Sequence, residues 1–212
     1  MYIAIEGVIG VGKTTLARLL QSAFNAEVLL EVFEENPFLS DFYSDRARYA
    51  FQTQIFFLLS RYHQQRRTIS EMIAKSNNVI ADYTFAKDAL FARINLMGDE
   101  LDTYYKVHEA LAEKIQKPDL LIYLQASTDT LMQRIALRDR SYERQMERDY
   151  IHELNLAYND FFENTPEESP VLTIDFDHLN VVQNTEDLKW VEDRIRQSLS
   201  MPPFQQTLPL PH

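Results

Sequence analysis

The chain has 212 residues, 21 Lys and Arg against 32 Asp and Glu, and a formal charge of -11. So acidic a surface excludes an extended nucleic-acid partner, whose phosphates need a positive face, and the absence of cysteine excludes a disulfide framework or a thiolate zinc site and fits a reducing cytoplasm. With 45% hydrophobic residues and no break in composition, the expectation is one domain over residues 1–200, then a loose proline-rich tail over 201–212, with neither leader nor membrane helix.

The first element is the apolar run YIAI at residue 2, followed at once by EGVIGVGKTT. Three of the four glycines in the chain, Gly7, Gly10 and Gly12, fall in that stretch. From Gly7 to Lys13 and Thr14 it fits G-x-x-x-x-G-K-[ST], the phosphate loop. Main-chain N–H groups from Gly7 through Gly10, Val11 and Gly12 to Thr15 would cradle phosphate oxygens, Lys13 would reach the outer phosphates, and the Thr14 hydroxyl would face magnesium. The amphipathic KTTLARLLQSAF that follows supplies the helix whose N-terminus favours an anion. A nucleoside triphosphate, with Mg2+, is the expected ligand.

Further apolar runs stand at VLL (28), VIA (79), LLIYL (120) and VLTI (171), each read as a buried parallel strand. Helical spacing covers 13–24, 46–74, 85–97, 102–115 and 130–138. Strands alternating with helices predict a doubly wound α/β sheet covered on both faces. Ligands of such sheets bind beyond the carboxyl ends of the strands, which singles out Glu31 after the second run and Asp82 after the third. Either carboxylate suits the proton of a hydroxyl acceptor. Asp82 also stands where a Walker B aspartate holds magnesium, with helix capping as its rival role. Glu34 and Glu35 read as loop charges. A carboxylate beside the acceptor repels a phosphate and favours a neutral alcohol, which argues against a nucleotide kinase. A guanine-nucleotide switch should carry Asn-Lys-x-Asp, and the sequence lacks it.

Taken in order, IAIEGVIGVGKTTLA, EVFEENPFLSDFY, YAFQTQIFFLLSRY, VIADYTFAKDALFA, KPDLLIYLQAS and RIALRDRSYE resemble the deoxyribonucleoside kinases, above all the bacterial deoxyguanosine and deoxyadenosine kinases. The resemblance spans nearly the whole chain. It implies a P-loop kinase fold with a parallel five-stranded sheet, flanking helices and an arginine-rich lid, usually as a homodimer. It also implies transfer of the ATP γ-phosphate to the 5′-hydroxyl of a deoxynucleoside. Carried over by position, Glu31 becomes the base at the 5′-hydroxyl, and Tyr43 and Glu143 meet the sugar 3′-hydroxyl. Gln54 reads the base edge, with Arg61 paired to Asp88 beside it, and Arg138 and Arg140 become the lid arginines over the phosphates. Arg134, Arg144 and Arg148 read as helix surface.

Two departures stand out. The acid-Arg-Ser triplet common in that family is Asp82-Tyr83-Thr84 here, so the work of the missing arginine is expected to pass to a lid arginine or to the Tyr83 hydroxyl. Ala92 stands where a base-stacking aromatic is common, and Phe91 is expected to face elsewhere on its helix. The Asp-Tyr pair favours deoxyguanosine slightly over deoxyadenosine, although some deoxyguanosine kinases have glutamate where Gln54 stands.

Overall fold

The structure, a computed structural model, describes residues 1–32, 35–76, 78–164 and 169–203. Glu34 and most of the proline-rich tail lie outside the described residues. Strand β1 (Tyr2–Gly7) leads into helix α1 (Lys13–Ala23), then β2 (Glu27–Leu29), α2 (Leu39–Ser44) and α3 (Arg46–Gln64). A π-turn over Gln65–Ile69 joins α3 to α4 (Ser70–Ser76), and β3 (Val79–Ala81), α5 (Lys87–Asn95) and α6 (Gly98–Ala112) follow. The remainder is β4 (Leu120–Gln125), α7 (Thr128–Arg138), a short 3-10 turn at Ser141–Glu143, α8 (Arg148–Asn164), β5 (Val171–Asp175) and α9 (Thr185–Ser198).

Among the described residues the strands form one five-stranded parallel sheet in the order β2-β3-β1-β4-β5. Ile3 pairs with Ile80 on one side and Leu120 on the other, so β1 is central. Because side chains alternate across a strand, β1 feeds two cores. Ile3 and Ile5 join the larger cluster with Leu16, Leu20, Ile80 and Ile122, whereas Tyr2 and Ala4 join a smaller one with Ile69, Val79, Ala81 and Tyr83. All six β1 residues are buried, as a strand covered on both faces requires. Helix α1 closes one face because Leu16, Ala17, Leu20 and Ala23 recur at helical spacing.

The five expected strands are all present, but β5 is not buried on both faces. It is an edge strand that alternates exposed and buried residues, with Val171 37% exposed and Leu172 and Ile174 turned inward. The helix expected over 46–74 is broken by the π-turn, which buries Gln65 and Ile69. Helices α2, α8 and α9 add to those expected. In α8 the aromatic residues Tyr158 and Phe162 pack on Tyr123 of β4, the closest pair at 4.1 Å between ring centres. Among the described residues no helix is long and apolar enough to cross a membrane.

Candidate active site

The turn after β1 brings the backbone close to two neighbours, which is why glycine is needed there. A Cβ on Gly7 would lie 2.6 Å from the Leu124 carbonyl oxygen, and one on Gly10 would lie 2.8 Å from Ile135 and 2.9 Å from the Leu131 carbonyl, both on α7. Both glycines also hold positive φ, 147° and 89°. The loop is thus wedged between β4 and α7, and Arg134 ties it down by donating to the Val11 carbonyl at 3.0 Å and the Phe176 carbonyl at 2.7 Å. Arg134 is therefore part of the loop's support and not helix surface. Arg144 and Arg148 do lie on the surface, paired with Asp139 and Asp129.

Lys13, the first residue of α1, donates to the carbonyls of Gly7 at 2.7 Å and Val8 at 3.2 Å. Burial, then the nearby Lys87, lower its pKa to about 8 against the opposing pull of Glu6, Glu31 and Asp82. The Thr14 hydroxyl donates to the Asp82 carboxylate, whose other oxygen accepts the main-chain N–H of Glu31 at 2.7 Å. Asp82 is 3% exposed and caps no helix, since α5 begins only at Lys87. It links the loop to the end of β2. Thr15 is exposed on the first turn of α1. On the other side of Gly7, buried Glu6 accepts the N–H and hydroxyl of Thr84, fixing the segment after β3 to β1.

Glu31 lies just past β2, where the strand-end rule puts it, and its carboxylate is gripped from two helices. Arg61 of α3 donates to Oε1 through both Nε, at 3.0 Å, and Nη2, while Lys87 of α5 donates to Oε2 at 2.8 Å. Arg61 also pairs with fully buried Asp88 through Nη1. The expected Arg61 and Asp88 pair is formed, and it extends to Glu31. Burial by itself would raise the Glu31 carboxyl, but Arg61 and Lys87 outweigh it and hold the group well below the usual carboxylate range.

A cleft opens beyond Glu31, with about 780 Å³ of empty space that includes its solvent-open mouth. Of the residues singled out in the sequence, Lys13, Thr14, Glu31, Tyr43, Gln54, Arg61, Asp82, Arg138, Arg140 and Glu143 line this one cleft. Asp88 does not; it stands behind Arg61. Gln54 and Arg61 share a wall because seven residues make two turns of α3. Gln54 is 3% exposed and its amide is engaged by no neighbour among the described residues. Tyr43 stacks on Tyr142 at 6.3 Å, and its hydroxyl is held neutral by burial and by the neighbouring Tyr150 and Glu143. Glu143 is 5% exposed, and both Arg138, at 3.1 Å through Nε, and Arg140, at 3.5 Å, reach it. The two arginines thus meet the acid of the acceptor cleft itself.

Two expectations are corrected. Phe91 does not face elsewhere: it lines the cleft, while Ala92 beside it is fully buried in the core. Among the described residues the Glu31 carboxylate takes its hydrogen bonds from Arg61 and Lys87, not from the Tyr83 hydroxyl. Tyr83 is fully buried in the smaller core and donates to Gln64 at 2.6 Å. Lys87 makes that contact instead. Sequence reasoning passed over Lys87, although Lys87 and Phe91 are spaced i, i+4 and so share a helix face.

A phosphate loop at the end of a central strand, beside a cleft walled by polar side chains and closed by arginines, is the framework of a phosphotransferase that binds nucleotide. The family described as "Deoxynucleoside kinase" matches residues 3–200. The deoxyguanosine kinase of Bacillus subtilis (strain 168) is 36% identical over 199 residues, covering 92% of this chain and 96% of the relative. The deoxyadenosine kinase of Dictyostelium discoideum is 35% identical over 180 residues, covering 82% and 72%. Among solved structures, the deoxyadenosine kinase from M. mycoides with bound dATP superposes with a TM-score of 0.80 at 27% identity, over 92% of this chain and 100% of the other. The chain belongs to the deoxynucleoside kinase family.

Proposed function

We propose that this enzyme passes the γ-phosphoryl group of ATP to the 5′-hydroxyl of a purine deoxynucleoside, deoxyguanosine ahead of deoxyadenosine, as a step in nucleotide salvage. The observation that carries the reading is the pinned Glu31 carboxylate, which stands in one cleft with both Lys13 and Gln54. The phosphate loop receives the donor, Gln54 faces the base, and Glu31 lies between them, where a neutral hydroxyl fits and an acceptor phosphate would be repelled.

Glu31 serves first as an acceptor that orients the 5′-hydroxyl. A carboxylate held so far below its usual range takes little proton from a free alcohol. In a loose phosphoryl transfer the attacking oxygen becomes acidic only as its bond to phosphorus forms, so the proton passes to Glu31 late. Lys13, the loop N–H groups, Arg138 and Arg140 balance charge on the transferred group. Tyr43 and Glu143 hold the 3′-hydroxyl. The Gln54 amide offers one donor and one acceptor to a purine edge, with Arg61 and Asp88 beside it and Phe91 as an aromatic face.

The residues fit a magnesium ion. Thr14 and Asp82 present a hydroxyl and a carboxylate side by side at the loop, hard oxygen donors of the kind magnesium takes. Among the described residues no group of three or more His, Cys, Asp or Glu forms a cage, which agrees with an ion completed by phosphate oxygens and water. When bound, it would neutralise charge on the β- and γ-phosphates. The Gln54 amide suits either purine; the preference for deoxyguanosine is supported by the Asp82-Tyr83 pair and the name of the 36% identical relative. A single catalytic domain over residues 1–200, a cytoplasmic location and a homodimer belong to the same proposal, supported by the absence of cysteine and by the family.

The test is to supply ATP and magnesium with each deoxynucleoside and each monophosphate separately, and to identify the product. Deoxyguanosine should give its 5′-monophosphate fastest. Glu31→Gln should lower kcat/KM by about 10² to 10⁴-fold. Turnover of monophosphates alone, or ATP hydrolysis that ignores the acceptor, would overturn the proposal.

A further inference from the structure

Lys87 is an expensive residue to place where it stands. Its side chain is 5% exposed, with the ammonium 5.9 Å from the ring centre of Tyr83 and 5.8 Å from that of Phe91. A buried ammonium carries a desolvation penalty of several kcal/mol, which only good pairing offsets. Arg61 is shared between Glu31 and fully buried Asp88, so Lys87 brings the second cation that balances the two carboxylates. Because that contact is made on Glu31 and not on Asp88, it also serves a purpose at this carboxylate.

Counting lone pairs shows what that purpose is. A carboxylate offers about four acceptor sites, two on each oxygen. Arg61 approaches Oε1 from one side with Nε and Nη2 together, whereas Lys87 fills one site on Oε2. One site on Oε2 is left for an incoming hydroxyl. With Arg61 alone, the carboxylate could swing about its contact on Oε1. With Lys87 on the opposite oxygen its plane is fixed, and the remaining lone pair has one direction. Tyr83, next to Asp82, is buried in the smaller core with its hydroxyl committed to Gln64. The cation comes instead from the first residue of α5.

We infer that Lys87 is a positioning residue for phosphoryl transfer, which fixes Glu31 Oε2 toward the acceptor hydroxyl and keeps that carboxylate charged. The inference rests on the reading of Glu31 as the partner of the 5′-hydroxyl. Other groups that act on Glu31 are Arg61 from α3, Lys13 from α1, Asp82 from the end of β3, Tyr43 from α2, Tyr83 after β3 and Tyr158 from α8. Of these only Arg61 and Lys87 donate a hydrogen bond to its carboxylate among the described residues.

The experiment uses the full chain and compares Lys87→Met, Lys87→Arg and Glu31→Gln, alone and with Lys87→Met added to Glu31→Gln. Steady-state kinetics with deoxyguanosine and ATP are measured beside a carbon NMR titration of the Glu31 carboxyl. Lys87→Met should lower kcat by about 10²-fold and move the Glu31 titration upward toward the ordinary carboxylate range. Lys87→Arg, which restores the charge, should recover part of both. In Glu31→Gln the further change to Lys87→Met should add little. Wild-type kcat and an unmoved Glu31 titration in Lys87→Met would overturn the inference. So would an equal loss in both backgrounds, because Lys87 would then act apart from Glu31. A low kcat in Lys87→Met and Lys87→Arg alike, with no movement of the titration, would show a packing role and also overturn it. Full activity in Glu31→Gln is a different result: it would remove the reading of Glu31 itself.

Discussion

Two of the carboxylates that line the cleft each sit between two cations. Glu31 is held by Arg61 and Lys87, whose side chains are 7% and 5% exposed and which stand on helices packed into the core. Glu143 is held by Arg138 and Arg140, which are 34% and 29% exposed and lie on either side of the left-handed residue Asp139 that ends α7. In the first cluster the cations are buried, and the charges lose much if a partner is removed. In the second the carboxylate is buried but its arginines reach solvent, so water can hydrate an arginine that lets go at small cost. On the proposed mechanism, a base that must keep one orientation belongs in the first kind of site. Arginines that must leave a carboxylate for phosphate oxygens belong in the second.

Removing Arg61 should break the contrast most. Arg61→Met strands Glu31 and fully buried Asp88 together, and unfolding free energy should fall by about 3–5 kcal/mol. The pH dependence has a definite sign. The Glu31 pKa is depressed in the folded state, so its stabilisation is present above the ordinary glutamate value of about 4.3 and fades as the pH falls below it. In Arg61→Met that stabilisation shrinks and acid unfolding should begin at a higher pH. Denaturant melts across a pH series would measure both. A variant as stable as its parent would mean that the first cluster loses no more than the second when a partner is removed.

Glu143→Gln probes the other half and should cost far less stability, within about 1 kcal/mol. Its effect belongs to substrate handling: KM for the deoxynucleoside should rise about tenfold, the equivalent of one lost hydrogen bond to a charged group. Melts and steady-state kinetics on one preparation would separate the two effects. A stability loss matching that of Arg61→Met would erase the distinction.

The same contrast marks what could be read from the sequence. Glycines in a glycine-poor chain announce the loop, and apolar runs announce the strands, because backbone strain and burial on two faces each leave a local signature. Gln54 and Arg61 follow from spacing on one helix, and Asp88 from the order of family motifs. What escaped depends on helix phase and packing. Lys87 and Phe91 reach the cleft because α5 turns the face with i, i+4 spacing toward Glu31, burying Ala92 behind it. Arg134 reaches the loop because Gly10 lets α7 pack against it. In α8 the polar residues among Tyr150, Leu154 and Tyr158 obscure an apolar face that only Tyr123 completes.

Lys13 gives the smallest effect and the sharpest reading, because it is a third cation with no carboxylate of its own to grip. Its partners are two neutral loop carbonyls, and burial with Lys87 nearby lowers it from 10.5 to about 8. In the folded protein the charged form is therefore disfavoured: it weakens stability at pH below 8, and that penalty disappears as the pH rises from 8 to 10.5. Phosphates arriving at the loop would supply the missing anion and restore the charge. At pH 8, ATP binding should draw in about half a proton, and at pH 7 about a tenth. Calorimetry in two buffers of different ionisation enthalpy reads this directly. Lys13→Met should abolish the uptake, because Glu31 stays ionised at this pH with or without nucleotide. If uptake persists in Lys13→Met, the titrating group lies elsewhere in the cleft. If it vanishes, the loop lysine is a cation whose charge is completed by the substrate, while Arg61 and Lys87 have theirs completed by the fold.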